Sequence, residues 1–246
     1  MSEAHVAIVT GGAGGIGLAT VRKFAQRHVA VAIADLNAEA GEAAAAALNA
    51  EGGKAIFVRL NVGDRQSWSS AVGTVSEKLG PVDILVNCAG ILRDRSLVKM
   101  TDQEWEDVIS VNLRGTWLGC QAVFPGMSAK KWGRIVNISS SSHRGTFGQS
   151  NYAAAKAGVI GLTRTIALEG MKFGILCNAV IPHTVETAIL AKVPEETKEK
   201  WKQNSKVGRF AQPEEIAAVI DFFASDDNTF VNGQMLEVDG GELVGA

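Results

Sequence analysis

A tyrosine and a lysine one helical turn apart are the residues of this sequence best suited to moving a proton. Tyr152 is the single tyrosine of the chain, and Lys156 follows it in the stretch YAAAK. If this stretch is helical, residues at i and i+4 share a face, so the phenol and the ammonium should be neighbours. A free tyrosine has a pKa of about 10, and a nearby cation favours the phenolate and lowers that value. The pair is therefore predicted to exchange a proton with a carbonyl or alcohol oxygen, although the same spacing also occurs by chance on helix surfaces.

A serine upstream of the tyrosine strengthens this interpretation. Ser139 directly follows a predicted strand that ends at Ile138, so its hydroxyl should lie at the carboxyl end of that strand. A hydroxyl there can donate a hydrogen bond to the substrate oxygen that Tyr152 handles. The alternative is an ordinary turn serine, because serine is common in turns and Ser139 opens a run of serines.

A glycine-rich stretch near the N terminus is typical of a dinucleotide-binding turn. The stretch TGGAGGIG runs from Thr10 to Gly17, between a predicted strand and a predicted helix. Glycine lets the backbone approach a ligand closely, and a helix that begins near Gly15 presents free N–H groups to a pyrophosphate. A plain tight turn has a similar composition, but the order strand, turn, helix is the context that the motif requires.

An acidic residue at the end of the second predicted strand indicates which dinucleotide binds. Asp35 follows Gly17 at the spacing at which a carboxylate binds the adenosine ribose hydroxyls and repels a 2′-phosphate. The alternative role for Asp35 is the N-cap of a helix that starts near Asn37. Neither Leu36 nor Gly14 supplies a cation for a 2′-phosphate, so the sequence predicts NAD(H) rather than NADP(H).

These residues need a scaffold, and the hydrophobic pattern predicts one of alternating strands and helices. Most strand-like runs are apolar on both faces, as in parallel strands that are covered by helices on both sides. Such alternation favours right-handed crossovers and a doubly wound α/β sheet, and no linker divides residues 1–246. The predicted strands are 5–10, 29–34, 54–60, 82–87, 133–138, 175–181 and 234–238, and the predicted helices are 15–27, 38–50, 64–79, 101–130, 150–172 and 213–225.

Residues 183–208 interrupt this alternation with many charged side chains and Trp201. The segment follows the sixth predicted strand and precedes the last predicted helix. It is either a solvated helix pair or a mobile lid over the carboxyl ends of the strands, where such sheets bind ligands.

The composition excludes several classes of protein. Hydrophobic residues make up 46% of the 246 residues and the net charge is −2, which excludes a disordered chain. The 24 basic and 26 acidic residues leave no basic excess for nucleic acid. The three cysteines match neither a disulfide framework nor a zinc site, so no metal is expected. We see no signal peptide and no apolar run long enough for a bilayer, and expect a cytoplasmic protein without a membrane partner.

Six motifs, taken in order, resemble the short-chain dehydrogenase/reductase family. They are TGGAGGIG (10–17), NCAG (87–90), Asn112 in VNL, Ser139, YAAAK (152–156) and VDGG (238–241). They cover nearly the whole chain. The resemblance implies a single-domain, Rossmann-like, doubly wound sheet of seven parallel strands, and hydride transfer between a nicotinamide and a carbonyl or alcohol.

The resemblance also implies a role for particular residues. Tyr152 would be the acid/base, Lys156 would lower its pKa and bind the nicotinamide ribose, and Ser139 would hold the substrate oxygen. Asn112 would fix a water of a proton relay, or would simply be a helix-kink residue. The residues implied to contact the cofactor are Gly11, Gly15, Ile16, Gly17, Asp35, Leu36, Asn61, Val62, Asn87, Ala89, Gly90, Tyr152, Lys156, Pro182 and Thr187, and the NCAG stretch would also stabilise the central sheet.

Two stretches depart from the family pattern. After the sixth strand the family usually has Pro-Gly and then a threonine, whereas Pro182 is followed here by His183, with Thr187 still able to hold the nicotinamide carboxamide. His183 could close the pocket, touch the substrate, shift the lid or face the solvent. Asn61 and Val62 stand where Asp-Val is usual, and the amide of Asn61 could still contact adenine.

Residues 90–117 and 147–158 resemble 3-oxoacyl-thioester reductases, including acyl-carrier-protein reductases and hydroxyacyl-CoA dehydrogenases. The carrier-protein reductases mostly use NADPH, in conflict with Asp35. An NAD-linked hydroxyacyl-CoA or secondary-alcohol dehydrogenase satisfies both observations. Three hypotheses therefore stay open: an NAD(H)-dependent enzyme on 3-oxoacyl or 3-hydroxyacyl thioesters, the same chemistry on small ketones and secondary alcohols, and a catalytically silent NAD-binding sensor.

The resemblance implies a homotetramer, built through the helices predicted at 101–130 and 150–172 and through the C-terminal region. Lys130 and Lys131 could attract an acidic carrier protein or the phosphates of CoA. Alternatively, they only complement the dipole at the end of a helix.

Overall fold

The chain folds into alternating strands and helices, as the hydrophobic pattern predicts. The structure is a computed structural model that describes residues 5–188, 190, 193–203 and 205–243. The strands are β1 (Val6–Thr10), β2 (Ala30–Asp35), β3 (Ala55–Arg59), β4 (Ile84–Asn87), β5 (Gly133–Ile138), β6 (Ile175–Pro182) and β7 (Met235–Val238). The α-helices are α1 (Gly15–Gln26), α2 (Ala38–Ala50), α3 (Arg65–Lys78), α4 (Asp102–Ile109), α5 (Gly115–Lys130), α6 (Ser150–Gly170), α7 (Glu195–Lys202) and α8 (Pro213–Ala224).

All seven strands form one parallel sheet in the order β3-β2-β1-β4-β5-β6-β7. The order reverses between β1 and β4, because the chain builds outward from β1 in one direction and then crosses over to build in the other. This is the doubly wound, Rossmann-like α/β fold, and the prediction of fold class is confirmed.

Helices cover both faces of the sheet, because successive side chains of a strand point to opposite sides. In β1, Val6 and Ile8 join the hydrophobic cluster that α3, α5 and α6 cover. Ala7 and Val9 join the cluster that α1, α2 and α8 cover. Burial on both faces explains why the strand sequences are continuously apolar rather than alternating.

The carboxyl ends of the central strands meet at one edge of the sheet. The register pairs Thr10 with Asn87 and Asn87 with Asn137, and it pairs Ile138 with Val180. Sheets of this kind bind ligands in the crevice at this edge, where the strand order reverses.

The predicted helix 101–130 is continuous but not α-helical throughout. Between α4 and α5, residues Ser110–Arg114 form a π-helical turn. Such turns hold one extra residue and are frequent at functional sites. Asn112 lies inside this turn, so the residue singled out in the sequence coincides with the irregularity of the helix.

The described part of segment 183–208 contains the helix α7, and the alternatives of a helix pair and of a lid both stay predictions. Its side chains pair along the helix, including Lys198 with Glu195 and Lys200 with Glu196. Residues 189, 191, 192 and 204 of the predicted lid lie outside the described residues. Among the residues that are described, no helix is both long and apolar enough to cross a membrane.

Candidate active site

The glycine turn between β1 and α1 has no room for a side chain at Gly11 or Gly17. Gly11 and Gly15 have positive φ angles of 65° and 51°. A Cβ at Gly11 would lie 3.0 Å from the Cα of Ala89, and one at Gly17 would overlap the carbonyl oxygen of Gly11. Gly14 caps α1 without a side-chain hydrogen bond, so no side chain occupies the N–H groups of the first turn. These features fit a pyrophosphate.

The carboxylate of Asp35 lies beside this turn. Its Oδ2 accepts a hydrogen bond of 3.1 Å from the N–H of Ala13, and its Oδ1 accepts one of 3.0 Å from the N–H of Asn37. The cap of α2 is Asn37, which accepts from the N–H of Ala40, so the N-cap alternative for Asp35 is wrong. Leu36 is exposed next to it. The carboxylate therefore stands where the ribose of a dinucleotide on the glycine turn is expected.

Thr10 joins the ends of β1 and β4 and was not singled out as a site residue from the sequence. Its hydroxyl accepts hydrogen bonds of 3.0 Å from the N–H groups of Cys88 and Ala89, and donates to the carbonyl oxygen of Val86. This arrangement sets the turn after β4 against Gly11. A buried threonine directly before a glycine turn was the available signal.

Asn112 holds the next part of that turn. Its side chain is fully buried, accepts from the N–H of Ile91 at 3.3 Å, and donates to the carbonyl oxygens of Ile91 and Val108 at 3.0 Å. A Cβ at Gly90 would lie 2.7 Å from the Asn112 Oδ1 and 3.8 Å from the Lys156 Nζ. Asn112 therefore clamps the backbone beside Lys156, and its part in a proton relay stays a prediction.

Tyr152 and Lys156 are neighbours on α6, with the Lys156 Nζ 5.5 Å from the centre of the phenol ring. Burial raises the pKa of Tyr152 to about 12. Burial also lowers the pKa of Lys156 to about 8, and its ammonium donates a 2.7 Å hydrogen bond to the carbonyl oxygen of Ile138. The expected lowering of the phenol pKa is therefore wrong, because burial penalises the phenolate.

The serine beside the phenol is Ser140, not Ser139. Ser139 is 2% exposed, and its hydroxyl donates a 2.9 Å hydrogen bond to the carbonyl oxygen of Lys156. The hydroxyl of Ser140 faces the Tyr152 phenol and lowers its pKa, against the larger effect of burial. The prediction that Ser139 faces the substrate is wrong, since alternate residues leave a strand on opposite sides.

Asn87 and Val62 turn their side chains away from the cleft. The Asn87 Nδ2 donates to the Asn137 Oδ1 at 2.8 Å, within the buried interior behind the sheet edge. Val62 is buried against Gly115. Asn87 thus joins β4 to β5, as expected of a residue that stabilises the central sheet. Its contact with the cofactor stays a prediction.

The segment after β6 reaches back to the glycine turn. Pro182 ends β6 and pairs with Val238 of β7. Thr187 lies over the turn, with its methyl group 3.4 Å from the position of a Cβ on Gly15. Ile16 is half-buried, and Asn61 at the end of the sheet is exposed, with its Oδ1 accepting from the N–H of Gly63.

The described residues hold no group of three or more His, Cys, Asp or Glu side chains that could bind a metal ion. Lys130, considered above for an acidic carrier, forms an ion pair of 2.5 Å with Asp83 at the opposite edge of the sheet. Lys131 lies over the ring of Phe173.

Comparison with known proteins adds to this geometry. Residues 11–242 match a family model described as enoyl-(acyl carrier protein) reductase. The chain is 42% identical over 243 residues to the 3-oxoacyl-(acyl-carrier-protein) reductase FabG of Thermotoga maritima, covering 98% of this chain and 99% of that one. It is 40% identical to the acetoacetyl-CoA reductase of Allochromatium vinosum, covering 97% and 98%. The crystal structure of levodione reductase is similar, with a TM-score of 0.92, 33% identity and 97% coverage of both chains.

Proposed function

Because the chain belongs to the short-chain dehydrogenase/reductase family of oxidoreductases, we propose that it transfers a hydride between NAD(H) and the 3-oxo or 3-hydroxy group of an acyl thioester. One observation carries the proposal: Tyr152, Ser140 and Lys156 converge at the carboxyl edge of the sheet, beside a glycine turn that fits a dinucleotide. A phenol, a hydroxyl and an ammonium are the groups needed to hold a carbonyl oxygen and protonate it.

Tyr152, Ser140 and Lys156 have different roles in the proposed reaction. Tyr152 keeps its proton at neutral pH, since burial raises its pKa to about 12, and it gives that proton to the carbonyl oxygen in the reductive direction. Ser140 donates a hydrogen bond to the same oxygen. Lys156 is largely charged at neutral pH, as its pKa is about 8. Its charge stabilises the phenolate that is left when Tyr152 gives up its proton.

The cofactor would lie along the glycine turn. Gly11 and Gly17 allow the tight backbone packing that leaves the first-turn N–H groups of α1 free for the pyrophosphate, and Thr187 would cover it from the β6 side. The nicotinamide supplies the hydride in reduction and accepts it in oxidation. Asp35 supports NAD(H) over NADP(H), because its carboxylate would lie against a 2′-phosphate.

The thioester substrate is supported by the names of two relatives, which act on a 3-oxoacyl carrier protein and on acetoacetyl-CoA. The levodione reductase of similar structure carries the name of a compound that is not a thioester. Small ketones and secondary alcohols are therefore the second candidate. The catalytic side chains would be the same for both substrates.

Assembly as a homotetramer is part of the proposal. Leu168 on α6, Met171 and Phe230 are large, exposed apolar side chains that line one surface groove, and Trp117 on α5 is also exposed. Contiguous apolar surface of this kind marks protein–protein contact. Light scattering of the purified protein gives the molar mass, and a monomer would contradict the assembly.

Initial rates with NADH and NADPH against acetoacetyl-CoA and a small unactivated ketone test the function. We expect the fastest turnover with NADH and acetoacetyl-CoA. Activity on the ketone alone would select the second candidate. Absence of turnover in both directions with every pair would favour the catalytically silent sensor.

The matched control is Tyr152→Phe, which removes only the transferable proton. It should lower kcat by about 10² to 10⁴ and leave nicotinamide binding, followed by fluorescence of the bound dinucleotide, nearly unchanged. Full turnover by this variant would contradict the mechanism.

A further inference from the structure

His183 stands where the family usually has glycine, and its imidazole is held between two carboxylates. The side chain is 9% exposed. Its Nε2 lies 3.2 Å from an oxygen of Glu237, and its Nδ1 lies 2.9 Å from an oxygen of Glu242. The alternative of a solvent-facing imidazole is therefore wrong.

Contacts of Glu237 connect the imidazole and its two carboxylates to Ser140, the candidate catalytic serine. Glu237 on β7 also pairs with Arg144. Arg144 ends the short 3₁₀ turn Ser141–Arg144, which directly follows Ser140. The N–H of His143 donates to the carbonyl oxygen of Ser140 at 3.0 Å, so the turn and the serine are tied together.

Glu242 connects the imidazole to the C-terminal turn and to the segment that follows α7. Asp239 accepts hydrogen bonds from the N–H groups of Gly241 at 2.9 Å and Leu243 at 3.0 Å, which folds Glu242 back toward His183. The carbonyl oxygen of Gly240 accepts from the N–H of Val207 at 3.2 Å. Movement of segment 205–207 therefore acts on the turn that carries Glu242.

The backbone of His183 joins the same assembly. Its N–H donates to the carbonyl oxygen of Val238 at 3.2 Å, which extends the pairing of β6 with β7 past Pro182. Four residues further along the chain, Thr187 lies over the glycine turn. A cleft of about 220 Å³ separates His183 and Glu242 from Trp201 on α7.

The chemistry of the imidazole makes this link specific. A carboxylate only accepts hydrogen bonds, and each of the two ring nitrogens of His183 lies within hydrogen-bond distance of one of the two carboxylates. A glycine at this position would leave the two carboxylates facing each other without a donor between them. That change would remove the side-chain link between Glu242 of the C-terminal turn and Glu237 of β7.

We propose that His183 is a positioning residue that fastens the C-terminal turn, and with it segment 205–207, to the turn that follows Ser140. The chain of contacts runs from Val207 through Gly240 and Glu242 to His183, and then through Glu237 to Arg144. The position of the Ser140 hydroxyl in the cleft thus depends on the packing of the segment after α7. The inference rests on the proposed function only where turnover is measured.

Hydrogen–deuterium exchange tests the link without any assay of turnover. Glu242→Gln removes the charge that faces His183 within the chain of contacts, and we expect faster exchange both in peptides covering 205–211 and in peptides covering 140–145. In a His183→Gly background, adding Glu242→Gln should leave the exchange of 140–145 unchanged. Unaltered exchange at 140–145 after Glu242→Gln in the native background would overturn the proposal.

Glu199→Gln is the matched control. Glu199 is an exposed glutamate on α7 that pairs with Lys202 and takes no part in these contacts. The variant should change exchange at neither peptide. If it changes 140–145 as much as Glu242→Gln does, the effect is general surface charge and the proposal fails.

Turnover provides a second readout. Glu242→Gln should raise the KM for the carbonyl substrate and lower kcat, together by about fivefold in kcat/KM, with the KM for NADH unchanged. An equal rise in both KM values would point to a general loss of structure and would overturn the positioning role. If the chain turns over no carbonyl substrate, the proposed function fails, while the exchange experiment still decides the link.

Discussion

The hydroxyl of Ser139 donates a 2.9 Å hydrogen bond to the backbone carbonyl oxygen of Lys156. This bond ties the end of β5 to the helix that carries Tyr152, and it turns Ser139 into the interior. Ser140 is then the serine whose hydroxyl faces the phenol and lowers its pKa. Two adjacent serines therefore have different duties, one in the packing of α6 against the sheet and one in the cleft.

Substitution of each serine separates these duties. Ser140→Ala should lower kcat by about 10² to 10³, the loss seen when one donor to a reacting oxygen is removed. Ser139→Ala should cost about 1 kcal/mol of the free energy of unfolding through the lost buried hydrogen bond and should keep most of kcat. Steady-state rates and urea unfolding of both variants measure this, and a larger loss of kcat in Ser139→Ala would reverse the assignment.

Tyr152 offers a direct titration, because it is the single tyrosine of the chain. Burial raises its pKa to about 12, so the near-ultraviolet absorbance of phenolate should stay absent at pH values where free tyrosine, with a pKa of about 10, is half ionised. Tyr152→Phe provides the baseline spectrum. Phenolate absorbance that develops below the ordinary tyrosine pKa would mean that the cation beside the ring outweighs burial.

Lys156 should destabilise the folded chain, because its ammonium is buried, although the proposed reaction requires it. Its pKa in the folded chain is about 8, below the unfolded value of 10.5, so the unfolded chain binds more protons between those values. The free energy of unfolding therefore rises with pH between about 8 and 10.5, as the cost of burying this charge is removed. Lys156→Met should unfold at a higher temperature than the native chain near pH 7, by roughly 1 kcal/mol of stability after the loss of its bond to Ile138, and should have little turnover.

The stability advantage of the Lys156→Met variant over the native chain should shrink as pH rises from about 8 to 10.5, since the lysine is mostly neutral in both states only above 10.5. Thermal unfolding across the pH range tests the sign. A variant that is less stable than the native chain at pH 7 would contradict the expected cost of burying the ammonium.

Asp35 should select the cofactor through its charge. Asp35→Asn keeps an oxygen that can accept from the N–H of Ala13 and removes the negative charge that faces a 2′-phosphate. The ratio of kcat/KM for NADPH to that for NADH should rise about tenfold or more, which corresponds to about 1.4 kcal/mol. Leu36→Arg, at the exposed neighbour, should raise it further. An unchanged ratio in Asp35→Asn would exclude this residue as the selector.

A charged cluster at the amino ends of the strands should make stability depend on pH. The Asp83 carboxylate raises the pKa of His5 above 6.5, against the effect of burial, and Asp226 adds to the rise. Burial alone would raise the pKa of Asp83, but hydrogen bonds from His5 and Lys130 lower it below 3.8. The contribution of His5 is full below its unfolded pKa and is lost as pH rises through the folded value; that of Asp83 is lost as pH falls through its folded value.

Substitution of His5 should expose this dependence. His5→Gln should lose about 0.5 to 1 kcal/mol of stability near pH 5.5 and much less near pH 8.5. The ring also stacks on Trp132, so a part of the loss that is independent of pH is expected from packing. Equal losses at both pH values would mean that packing accounts for the whole contribution of His5.

Local patterns were sufficient for the scaffold. The continuous apolar runs of β1 and β4 reflect burial on both faces, and the spacing of Tyr152 and Lys156 follows from the pitch of α6. The glycine turn was also legible, because only glycine tolerates the backbone angles and the close approach to Ala89 that this turn requires.

Contacts between segments that are distant in the chain could not be predicted from the sequence. The direction of the Ser139 hydroxyl depends on its hydrogen bond to the carbonyl oxygen of Lys156. The direction of the Asn87 side-chain amide depends on its hydrogen bond to Asn137 in the neighbouring strand. The environment of His183 is made by glutamates that follow it by more than fifty residues. Hydrogen bonds of this kind leave no periodic trace in a sequence, because they depend on how the strands and helices pack.

The sequence by itself determined the parallel sheet, the glycine turn at its edge and the pairing of Tyr152 with Lys156, since each follows from local spacing and backbone preference. Only the tertiary structure decided which serine faces the phenol, that burial sets the pKa of Tyr152 and Lys156, and that His183 lies between two carboxylates. Burial and long-range hydrogen bonding arise from all the elements around a side chain at once, and no local pattern encodes them.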